Sequence, residues 1–206
     1  MQPVHLDEIA QRPVRYWNRD GLTELMLGLL MMVSGGVFLV AHALPKGSSF
    51  SQVWAFAAPV LWGGSALALK RGMFKLKEQL TFPRGGYVAL PEPSTAYWVS
   101  ALAAVVLVGG GYALIGRGEL ERWAWLAGPG IAMVFAVALL IGGLQYKLPH
   151  LLWLAAFSLL LGAWIWRLRA GFDGGLWVMV WLGGAFVLSG ALHLRSFLNA
   201  NPRARP

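Results

Sequence analysis

The chain has 206 residues, of which 57% are hydrophobic and 13% charged, and its mean hydropathy is +0.58. These values exclude a disordered or collagen-like chain, and they give more apolar surface than a soluble domain of this size can enclose, so most of the chain is solvated by lipid. The absence of cysteine excludes thiol catalysis, disulfides and thiolate metal sites, and the net charge of +8 points to orientation and anionic headgroups rather than to nucleic acid.

Residues 1–20 are polar and mix Asp7, Glu8 and Asp20 with three arginines, unlike a cleavable signal peptide. The first apolar run therefore reads as a span that stays in the membrane. A hydrocarbon core of about 30 Å takes about 20 residues of helix, and six runs approach that length. They cover 21–44, 53–69, 97–115, 123–144, 148–166 and 174–194. Backbone polar groups in lipid must be satisfied internally, and the alternation of a membrane strand is missing, so all six are predicted as helices. The fold class expected is an all-α integral membrane protein. Residues 1–20 form a polar segment, 21–194 a six-helix membrane domain and 195–206 a tail.

Short loops join spans one to two, three to four, and five to six, and spans four and five also lie close. Residues 70–96 separate spans two and three. This spacing reads as helical hairpins in tandem. The second, fourth and sixth spans end in LWGGSALALKR, LIGGLQYK and VLSGALHLR, a weak similarity that suggests a threefold hairpin repeat but, with no long identical stretch, is better explained by independent glycine-rich ends followed by a basic stop. With six spans, one side carries 12 Lys and Arg residues and the other 5, which places both termini in the cytoplasm of a plasma (inner) membrane. Most tryptophans, Trp17, Trp125, Trp153 and Trp166 among them, fall near span ends, where indole suits the headgroup region.

Asp20 precedes the first span as a natural N-cap, and Glu24 follows in its first turn, where the helix dipole favours carboxylates. The same pair supplies the acids of a polar site at the cytoplasmic rim, completed by Arg84 and Tyr87. Glu24 is the one acid placed to lie inside a span, where carboxylates are costly. Within 70–96, residues 79–82 and 87–90 flank Pro83-Arg84-Gly85-Gly86, which predicts a short β-hairpin or extended turn. Lys70, Arg71, Lys75 and Lys77 precede it and are expected to contact anionic lipid. Arg84 suits a headgroup phosphate, or an ion pair with Asp20 or Glu24.

Gly28 and Gly35, like Gly183 and Gly190, are seven residues apart and share a helix face, as close helix packing requires. His150 and His193 lie near the cytoplasmic ends of their spans, with His42 a membrane thickness away, so no metal or haem site is expected. No cofactor is implied and catalytic motifs are absent. Serines in the spans have no obvious base beside them, and spans two to six contain no acid. The leading expectation is a non-enzymatic accessory, assembly or lipid-contacting subunit, with membrane lipid, a second copy or another membrane protein as partner. The alternatives are a small oligomeric transporter or channel for an apolar substrate, and an enzyme with its chemistry at the rim.

Overall fold

The computed structural model describes residues 17–18, 20–43, 68, 71–85, 125–171 and 173–202. Among these residues all regular structure is helical. α1 is Leu22–Ala43; α2 is the helical segment 71–85; α3 is Ala127–Gln145; α4 is Pro149–Leu168; and α5 is Asp173–Ala200. α1, α3, α4 and α5 are long and apolar enough to cross a membrane, and they fall on the expected first, fourth, fifth and sixth spans. The expected spans 53–69 and 97–115, residue 68 excepted, lie outside the described residues.

Local chemistry sets the helix ends. Asp20 accepts a hydrogen bond from the Leu22 backbone N–H at 3.0 Å and so caps α1, with Gly21 bridging the two at φ +73°. α3 and α4 are joined by a tight turn in which Leu148 N–H donates to Gly143 O at 2.9 Å. Pro149 then opens α4, where a missing N–H costs nothing. α5 has 28 residues. At 1.5 Å per residue it is about 42 Å long and outreaches a hydrocarbon core of about 30 Å.

α1 runs antiparallel to α5 along most of its length, and α3 runs antiparallel to α4 and packs on α5 as well. The expected pairing of spans five and six therefore does not describe the tightest contacts: α4 pairs with α3, and α5 with α1. Glycine explains the second pairing. A Cβ on Gly28 would stand 2.6 Å from Gly183 O, and one on Gly183 would stand 2.8 Å from Gly28 O, so each backbone occupies the space a side chain would need. Gly35 meets Leu176 and Met179 on the same seam, and Gly190 meets Gly21 and Leu25. Met31, Leu139, Leu154, Ile165, Leu182 and Phe186 fill the centre of the bundle. Outward, Val33, Val134, Leu144, Leu160 and Leu188 are all exposed, the surface expected of helices that face hydrocarbon.

Candidate functional site

The end of the bundle where α1 and α4 begin and α5 nears its close holds a polar cluster built around buried Glu24, with half-buried partners. Glu24, on the first turn of α1, points into the joint with α5. Pro149 sets the first turn of α4 and so delivers His150 to the same point. α5 contributes Ser189 and His193, four residues apart and therefore on one face. Ser189 Oγ donates to Glu24 Oε2 at 2.8 Å. His150 Nε2 is in ion-pair contact with Glu24 Oε1 at 2.5 Å, with the Glu24 side chain 6% exposed. This approach lies off a hydrogen-bond direction, and neither Glu24 Oε1 nor His150 Nε2 has a hydrogen-bond partner. The His150 and His193 rings touch, with centroids 4.3 Å apart at 51°.

His193 Nδ1 lies 2.9 Å from Ser189 O and 3.5 Å from Ser189 Oγ. A carbonyl oxygen only accepts, so the shorter contact assigns the proton to Nδ1 and leaves the Nε2 lone pair of neutral His193 as its basic site. The cluster thus links one carboxylate, two imidazoles and one hydroxyl in a ring of pairwise contacts. A buried carboxylate without compensation is costly, and the ion-pair contact is balanced when a proton resides on the imidazole.

A second polar node lies beside the first, at the entry to α1. Lys77 on α2 is 1% exposed and donates to both Asp20 oxygens, at 2.8 and 3.0 Å, and to Trp17 O at 2.6 Å. Its Nζ also stands 4.2 Å from the centroid of the Trp17 ring. Trp17 packs in turn on Phe74 and Phe82, with centroids at 5.4 and 6.1 Å. Residues Lys77–Thr81 form a π turn in which Phe82 N–H and Thr81 Oγ1 both reach back to Lys77 O. Burial lowers the Lys77 pKa from 10.5, against the opposing pull of Asp20. At the C-terminal end of α2, Arg84 Nη1 donates to Leu198 O at 3.4 Å, near the C-terminus of α5.

These placements revise several expectations. Lys77, expected among the lipid-contacting bases, is turned inward by Asp20 and Trp17, whereas Arg71 and Lys75 are exposed and Lys70 lies outside the described residues. The hairpin expected around 79–82 is helix, because the face bearing Phe74, Lys77 and Phe82 packs on Trp17 and overrides the strand preference of Thr81 and Phe82. Tyr87 and the second arm at 87–90 lie outside the described residues. Asp20, Glu24 and Arg84 do not form one rim site. Asp20 belongs to Lys77, Glu24 to His150 and Ser189, and Arg84 to the end of α5. Trp17, expected as a headgroup anchor, is buried.

Sequence reasoning singled out Glu24 but missed its contacts with Ser189 and His150 and the ring contact of His150 with His193. The available signals were the four-residue spacing of Ser189 and His193 and the common end shared by His150 and His193. Among the described residues no group of three or more His, Cys, Asp or Glu side chains is placed to hold a metal ion. No protein family model, curated protein or solved structure matches the chain.

Proposed function

We propose that this chain is a non-enzymatic multi-pass membrane subunit that binds a proton at the Glu24–His150–His193 centre and responds to acidity on one side of the membrane. The observation that carries this reading is the buried contact of Glu24 Oε1 with His150 Nε2 at 2.5 Å, backed by the second imidazole of His193. Ionisable side chains inside a span are costly, and where they occur they mark proton or ligand pathways.

The site serves one face. Residues 25–41, 127–145, 151–166 and 174–192 of the described spans contain no Asp, Glu, Lys, Arg, His or Tyr. Two serine hydroxyls in those stretches are spent on backbone carbonyls, Ser34 on Leu30 O at 2.6 Å and Ser158 on Ala132 O at 2.8 Å. Proton exchange with one side fits this arrangement better than relay across it. The charge bias of 12 against 5, counted over six spans, favours a cytoplasmic location for the cluster end. Enzymatic chemistry at the rim is disfavoured because Asp20 and Arg84 are committed to Lys77 and to the α5 terminus.

The test is the thermal unfolding midpoint of the full chain in lipid nanodiscs between about pH 5 and 8, the range in which histidine titrates. The wild type shows a pH-dependent step that Glu24→Gln and His150→Gln each remove. Parallel profiles in all three proteins would contradict the proposal.

A further inference from the structure

We infer that α2 is the element that reads the cluster: a strap tethered at its middle by Lys77 and at its end by Arg84 across the α1–α5 joint, whose position follows the protonation of Glu24, His150 and His193. The inference rests on the proton-binding reading above and adds to it the part of the molecule that moves.

The coupling route consists of direct contacts. Gly21, at φ +73°, is pressed against α5, and a Cβ there would stand 2.7 Å from His193 Cβ and 2.9 Å from Leu194 N. In the other direction, a Cβ on Gly190 would stand 2.6 Å from Gly21 O. The entry turn of α1 therefore has no slack against the segment that carries His193. Interiors packed this closely transmit small displacements instead of absorbing them. The next residue back is Asp20, whose carboxylate accepts from Leu22 N–H at 3.0 Å and holds Lys77 Nζ at 2.8 and 3.0 Å. A shift of the His193 turn thus reaches Lys77 through Gly21 and Asp20. The far end of the strap is held to α5 by Arg84 on Leu198 O, five residues beyond His193.

Among the described residues, the charged and titratable groups at this end come from every helix but α3. α1 supplies Glu24 and, before its first turn, Asp20. α4 supplies His150, and α5 supplies His193 and the exposed Arg195. α3 has no charged residue between Ala127 and Gln145, and the turn after it carries Tyr146 and Lys147. α2 contributes Lys77 and Arg84. Arg71, Lys75 and Glu78 on α2 are exposed, so movement of the strap changes the charge pattern that this end offers to its surroundings.

The absence of cysteine permits a direct test in the full chain. Lys75→Cys and Ser196→Cys, both at exposed positions, take spin labels on the strap and on α5. Their distance distribution is measured in nanodiscs across the acid-to-neutral range, with ¹⁵N-histidine signals followed on the same samples. The distribution shifts with the midpoint of the histidines, and Glu24→Gln abolishes the shift. Asp20→Asn keeps the histidine titration but uncouples the distance from it. If the histidines titrate while the distance stays fixed, the strap inference falls and the proton site stands. A shift that persists in Glu24→Gln also overturns the inference, because its source then lies outside the cluster. If no histidine titrates, the proton-binding reading itself fails.

Discussion

Asp20 uses one carboxylate for two tasks, capping α1 at Leu22 and neutralising buried Lys77. Removing one partner of a buried ion pair typically costs about 3–5 kcal/mol, because the other charge is left unpaired. Asp20→Ala and Lys77→Met should each lower the thermal midpoint strongly, while the double variant loses clearly less than the sum. Strict additivity in that cycle would show that the two side chains do not interact. Lys77 also gives a pH dependence of defined sign. Burial lowers its pKa in the folded protein below 10.5, so the unfolded chain binds that proton more tightly. Unfolding then takes up a proton between the lowered value and 10.5, and the contribution of Lys77 to stability rises with pH across that window. Lys77→Met should flatten this alkaline limb. The cap was legible in the sequence because it acts over two residues. The partner of Lys77 lies 57 residues away and leaves no local trace.

The α1–α5 seam depends on backbone contact at Gly28 and Gly183. Overpacking a close-packed site costs typically about 1–3 kcal/mol and can cost more where the obstacle is backbone. Gly28→Leu and Gly183→Leu should reduce both the thermal midpoint and membrane abundance. Gly36→Leu, on the same helix but with nothing within 4 Å of its Cβ position, should leave both nearly unchanged. Equal effects at all three positions would remove the seam as the cause. The four described spans were legible because length and hydropathy suffice to identify a membrane helix. Their pairing was not. A seven-residue glycine spacing marks a face without naming its partner, so loop length suggested that α4 and α5 belong together. In α2, residues with strand preference fold as helix because Trp17 offers their apolar face a surface to bury.

At the scale of the whole molecule, four polar groups from three helices meet only because α1 is antiparallel to α5 and α4 starts beside their joint. Glu24 stood out in the sequence as the acid inside a span, and His150 and His193 could be placed at a common end. Their contact with Glu24 and Ser189 depends on packing between spans more than a hundred residues apart, which periodicity and composition do not encode. The charge bias predicts the topology that the proposal uses: a reporter fused after Gly85 should read the cytoplasm, and reporters after Lys46 and Gly118 the opposite side. A reversed pattern would move the proton site to the other face. The most direct test of the proposed proton-binding centre is a ¹⁵N-histidine NMR titration of the full chain in nanodiscs. A shared centre predicts that His150 and His193 titrate as coupled steps and that Glu24→Gln changes both. Two independent titrations near the unperturbed imidazole value of about 6.5, unchanged in Glu24→Gln, would contradict it.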